Sequence, residues 1–112
     1  MGSQIDPIVR VQELVRARHY RIGLHAVRHM IEEGFDENQL LEAVQGKLRI
    51  VEEYLEESRY LTLGYFHFTL KTISPLHLLC DLSKPDVVDI VTAYIPQRPW
   101  WISPTRRGRE KQ

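Results

Sequence analysis

Apolar residues recur at helical spacing in the first half of the chain and at strand spacing in the second. In "DPIVRVQELVRAR" (residues 6–18), Ile8, Val11, Leu14 and Val15 share one helix face. Asp6 suits the N-cap and Pro7 the first helical position, with Arg16 and Arg18 near the C-terminal end, where cations are favoured. A second helix is predicted over roughly 24–33, "LHAVRHMIEE". Its apolar stripe is Leu24, Val27 and Ile31, with Met30 beside it, and Gly34 ends it. His25, Arg28, His29 and Glu32, at i, i+3, i+4 and i+7, share another face. The third helix, in "FDENQLLEAVQG", is the best signalled. Asp36 and Gln39 form a capping-box pair, Phe35 and Leu40 a hydrophobic staple, and Gly46 the stop, with Leu40, Leu41 and Val44 facing the core.

From Lys47 the period changes. "KLRIVEEYL" alternates in part, and "YLTLGYFHFTLK" is rich in aromatic and β-branched residues; both read as strands around an acidic hairpin loop with a short helical turn. "PLHLLCDL" and "DVVDIVTAYI" are two further strands joined by the turn "SKPD". Their near-continuous hydrophobicity predicts central strands. Helices first and strands after imply an α+β fold, with N-terminal helices packed on a four-stranded antiparallel sheet. Residues 1–97 are expected to form a single domain. Residues 98–112 read as a basic, Pro- and Trp-containing tail without regular structure, because Pro99 and Pro104 follow Pro96; a solvated end is the simplest expectation.

Composition narrows the class. The 112 residues, 43% hydrophobic and 27% charged, suit one globular domain. No apolar stretch approaches the ~18 residues of a membrane span, and "MGSQIDPIVR" has no secretory pattern, so a cytoplasmic protein without membrane contact is expected. Cys80 is the only cysteine, which excludes an internal disulfide and a cysteine-only metal site, and it reads as a small core residue. Net charge is zero but uneven: from Arg98 onward there are five basic residues and one acid, so that segment is +4 and the rest −4. The basic end offers phosphate contacts or a dock for an acidic partner.

Three groups of residues carry candidate chemistry. In "SPLHLLCDLSKPDVVDIVTAYIP" strand alternation puts His77 opposite Leu76, Leu78, Cys80 and Leu82. In the last strand it groups Ile90, Thr92 and Tyr94 against Val91, Ala93 and Ile95. His77 can thus project beside Thr92 and Tyr94, although such residues also serve strands purely structurally. On the second helix, His25 and His29 have the i, i+4 spacing of a helix-borne metal pair but lack a His-Glu-x-x-His pattern and a third ligand. Arg28 beside a histidine suits phosphate chemistry, in which the guanidinium holds the phosphate and the imidazole moves a proton. Such a pair fits metal-independent RNA cleavage by the 2′-hydroxyl, with no cofactor. Last, "RPWW" offers Trp100 and Trp101 either as a base-stacking platform or as a plug on the body of the protein. Arg98, Arg106 and Arg107 around it are candidate RNA contacts. Glu52, Glu53, Glu56 and Glu57 read as a solvated loop. There is no Gly-rich phosphate loop, Gly-x-Ser-x-Gly elbow or Cys-x-x-Cys pair.

"HAVRHMIEEGFDENQLLEAVQGK", "LTLGYF", "PLHLLC" and "IVTAYIP" together resemble a small family of bacterial and archaeal domains of unknown function. That family reads His-Ala-x-x-Arg, Leu-x-x-Gly, Pro-Leu-His-Val-Val and Ile-Ile-Thr-x-Tyr-x-Pro in the same order. The resemblance covers about residues 22 to 96. The family is grouped with RelE-like and BrnT-like toxins of the barnase–RelE ribonuclease class. The resemblance implies helices on an antiparallel sheet, an RNA substrate and an antitoxin-like protein partner. The matched polar positions are His25, Arg28, His77, Thr92 and Tyr94. In a nuclease Arg28 would neutralise the scissile phosphate, His25 and His77 would act as base and acid, and Thr92 or Tyr94 would orient them. Glu33 stands where many members carry a second arginine, and Phe35 where isoleucine is usual. A toxin-type endoribonuclease is therefore the leading expectation. Its rivals are a non-catalytic protein-interaction module of the same fold and a metal-binding protein using His25 and His29.

Overall fold

A computed structural model describes residues 6–108; the ends 1–5 and 109–112, and with them Arg109 and Lys111, lie outside the described residues. Three helices, α1 (Pro7–Arg16), α2 (Leu24–Glu33) and α3 (Glu37–Gln45), cover one face of a sheet. Its strands are β1 (Tyr20–Ile22), β2 (Arg49–Tyr54), β3 (Arg59–Thr69), β4 (Thr72–Asp81) and β5 (Val88–Tyr94), in the order β1-β5-β4-β3-β2. The α+β class stands, but the four-stranded antiparallel sheet is corrected to five strands of mixed direction. Tyr20–Ile22 adds an edge strand parallel to β5, pairing Tyr20 with Val88 and Ile22 with Ile90. Three residues are too few to show a two-residue alternation.

The caps follow the sequence. Asp36 and Gln39 make a reciprocal capping box, and Asp6 accepts from the Ile8 amide ahead of Pro7. The acidic joint between β2 and β3 contains a 3-10 turn, Leu55–Glu57. β4 and β5 lie inside the sheet, as their continuous hydrophobicity predicts.

The core between helices and sheet gathers Val11, Val15, Ala26, Leu40, Val44, Phe66, Leu76, Leu78 and Ile90. Gly64 of β3 lies directly under α3: a Cβ there would stand 2.3 Å from the Ala43 carbonyl oxygen, so glycine is what permits that contact.

Two expectations fail in detail. The predicted apolar stripe of α2 faces outward, with Leu24 85% and Ile31 76% exposed. The helix instead seats Ala26 in the core, with half-buried Met30 packed against it. The face grouping in β5 also changes. A register shift lies between the pairs Leu79↔Thr92 and Cys80↔Ile90. This bulge turns Ile90 to the helix side with Ala93, while Thr92 and Tyr94 stay on the other face.

Candidate functional site

The face of the sheet away from the helices is covered by the segment expected to be an irregular tail. After β5 the chain turns back, and β6 (Trp101–Ser103) pairs antiparallel with β7 (Arg106–Arg107). Prolines end strands but do not prevent this hairpin, whose turn holds Pro104. It is closed by Trp101 donating to Gln97 O (3.0 Å) and Gly108 donating to Trp100 O (2.8 Å).

His77 lies beneath this cover and is fully buried. Its Nε2–H donates to the Pro104 carbonyl at 2.6 Å, which leaves Nδ1 to accept from the Tyr94 hydroxyl at 3.2 Å. The Trp101 ring packs edge-on against it, centroids 4.4 Å apart. Burial pushes the imidazole below its ordinary value, although the Pro104 bond and Glu52 oppose the shift. His77 is thus a neutral, doubly bonded ring in a sealed site. Burial likewise pushes the Tyr94 phenol up.

The cover is pinned at its far end. Arg107 forks onto Glu52 of β2 through Nε (2.8 Å) and Nη2 (2.9 Å) and lies 4.5 Å over the Trp101 ring. The Arg107 bond holds the Glu52 carboxyl below the usual range; Tyr54 donates to the same carboxylate.

Two hollows open beside Tyr94 and Arg107, which line both. The smaller, about 230 Å³, runs over the sheet past Thr92, Leu79 and Arg59. The larger, about 460 Å³, lies between the last turns of α2 and the C-terminal hairpin, lined by His29, Glu33, Arg98, Trp100 and Trp101. In it His29 Nδ1 meets Glu33 Oε2 at 2.7 Å, and the His29 ring stands 5.9 Å from that of Tyr94. A further hollow, about 540 Å³, is elsewhere: it sets Arg16 and Arg18 among Asp36 and Glu37, and none of the candidate residues lines it.

The structure therefore brings together His77, Thr92, Tyr94, Trp101 and Arg107, and adds Arg98 and Trp100 at the mouth of the larger cleft. It does not bring His25 and Arg28 to them. Both are exposed on α2, with no side-chain hydrogen bond or ion pair among the described residues. Helix and strand side chains still meet, but through His29. Arg106 is exposed on β7 and lines neither cleft. No group of three His, Cys, Asp or Glu suited to a metal occurs among the described residues, and His29 is engaged by Glu33, so the His25/His29 metal pair finds no third ligand.

The sequence shows neither role: Glu33 stands out only as a departure from the family pattern, and Glu52, expected in a solvated loop, lies in β2 and holds Arg107. Glu33 had a signal, since it follows His29 by four residues and so lies on the same helix face. Glu52 had none, because its partner is 55 residues away in the chain.

No family model, no curated protein and no solved structure matches the chain, so the family resemblance rests on its own motif residues alone.

Proposed function

We propose that this domain binds single-stranded RNA across its C-terminal cleft and cleaves it without a metal, as a RelE-like, toxin-type endoribonuclease. The observation that carries this reading is a histidine–carboxylate pair, His29–Glu33, opening on one cleft with two arginines and an exposed tryptophan. Trp100, 47% exposed, gives a base a face to stack on. Arg98 supplies the positive charge that a phosphate and its more highly charged transition state need, beside Arg107, whose fork is taken up by Glu52. With its Nδ1–H given to Glu33, His29 keeps Nε2 as the basic atom. That nitrogen takes the 2′-hydroxyl proton as the oxygen attacks the adjacent phosphorus. The bond from phosphorus to the 5′-oxygen breaks, the leaving oxygen takes a proton from solvent, and a 2′,3′-cyclic phosphate results. Tyr94, bonded to buried His77, forms the wall of the cleft, so His77 acts here as support for Tyr94 rather than as an acid or base.

The test is cleavage of total and structured RNA at neutral pH with EDTA present. Wild type should cut, and His29→Ala should lose about 100-fold or more, the usual share of a general base. A wild type without cleavage, or an undiminished His29→Ala, refutes the reading. One observation favours the non-catalytic module instead: Leu24, Val27 and Ile31 leave an apolar stripe of α2 facing solvent. A module of that kind leaves RNA intact.

A further inference from the structure

Glu33 is bound at both carboxylate oxygens, to partners on two different parts of the fold. Oε2 meets His29 Nδ1 at 2.7 Å, one helical turn back on α2. Oε1 accepts from the backbone amide of Ile95 at 2.7 Å, just past the end of β5. An i, i+4 pair on a free helix surface samples several rotamers and is worth only a few tenths of a kcal/mol. The Ile95 amide removes that freedom. It fixes one oxygen of the carboxylate against the sheet, so the other can face only His29.

We infer that Glu33 is a positioning residue that holds His29 in the Nδ1–H tautomer and aims its bare Nε2 at the cleft shared with Arg98 and Trp100. A carboxylate only accepts hydrogen bonds, so the ring nitrogen facing it must carry the proton. A neutral imidazole has one proton, so the other nitrogen is left as acceptor and base. The device is that of a buried acid orienting a catalytic histidine, built here from a helix turn and a strand end. The Ile95 amide, on half-buried backbone, needs the same carboxylate as acceptor, so the tie also joins α2 to the wall that Tyr94 forms. As a statement about the reaction this rests on the RNA reading above; as a statement about the ring it does not.

Glu33→Gln separates the two. Its amide oxygen can keep the Ile95 bond, which leaves the NH2 group facing His29. An NH2 group only donates, so Nδ1 must become the acceptor and the proton must move to Nε2. The opposite amide orientation sets two donors against each other at Ile95 and is disfavoured. The experiment is nitrogen-15 NMR of histidine-labelled full-length protein, at a pH where His29 is neutral, with His29→Gln used to assign its signals. Wild type should show Nδ1 protonated and Nε2 bare; Glu33→Gln should show the reverse, with RNA cleavage down about 100-fold or more. Wild-type His29 protonated on Nε2, or an unchanged tautomer in folded Glu33→Gln, overturns the inference. The wild-type spectrum decides even if the variant does not fold. Should wild type cleave no RNA while the tautomer still reverses, the positioning role stands and the nuclease reading falls.

Discussion

Truncating Trp101 to alanine is expected to release the C-terminal hairpin from the sheet while the helix layer stays folded. The indole is only 4% exposed, stands edge-on to His77 and carries Arg107 on its ring. Burying a tryptophan removes roughly 200 Å² from water, about 5 kcal/mol at ~25 cal/mol/Å² and an upper estimate. Aromatic-to-alanine changes in cores cost about 3–5 kcal/mol. The remaining anchors are smaller. The His77–Pro104 hydrogen bond contributes about 1 kcal/mol net. The half-exposed Arg107–Glu52 fork contributes about 0.5–1 kcal/mol, and the arginine's contact with the ring is lost along with the ring. Trp101 therefore outweighs the other named contacts together. Val11, Leu40, Phe66 and Leu78 lie in the core on the opposite face and do not depend on it. Hydrogen exchange read by mass spectrometry should show residues 98–108 losing protection, with α1, α3 and the β3–β4 ladder unchanged. Full protection of 98–108 in the variant would show that the hairpin is held by something other than Trp101. Equal loss across the chain would show that hairpin and core unfold as one unit.

Gly64→Ala should destabilise the domain by about 3 kcal/mol, read as a lower Tm, because the new methyl meets the Ala43 backbone on α3; an unchanged Tm would mean that α3 can move off β3 at little cost. Acid should loosen the hairpin in two stages. His77 has a folded pKa below its ordinary 6.5, so the folded chain binds fewer protons, and the stability this confers is present above about pH 6.5 and lost as pH falls through the folded value. Glu52, held below 4.5 by Arg107, contributes above that value and is lost below it. Thermal melts from pH 2 to 8 check both, and His77→Gln should flatten the upper stage only. His25→Ala and Arg28→Ala should change stability by less than about 0.5 kcal/mol and leave cleavage intact; a large loss of cleavage would return the reactive role to that exposed face. The Cys80 thiol, pushed up to about 12 by burial, should resist alkylation at pH 8 in the folded protein and react in urea.

What could be read from the sequence was local, and what could not be read depended on distant partners or on size. Asp36 and Gln39 announce α3 because a capping box is complete within four residues. His77 was separable from Leu76 and Leu78 because strand alternation requires no knowledge of the neighbouring strand. Thr92 and Tyr94 lie on the face of His77, whereas Ile90 does not, because a bulge becomes visible only when two strands are paired. The α2 stripe failed for a different reason. Large apolar residues ordinarily mark the inner face, whereas this helix approaches β5 closely at Gly23 and Ala26. Ala26 is fully buried, and a Cβ on Gly23 would stand 3.3 Å from the Val91 carbonyl oxygen. The close approach also carries His29 and Glu33 to the end of β5, where the Ile95 amide and the Tyr94 ring wait for them. Bulky side chains on that inner face would hold the helix farther off and break the Glu33 tie. Leu24, Val27 and Ile31 face solvent while Ala26 and the flexible Met30 take the inner face, and the same geometry assembles the cleft.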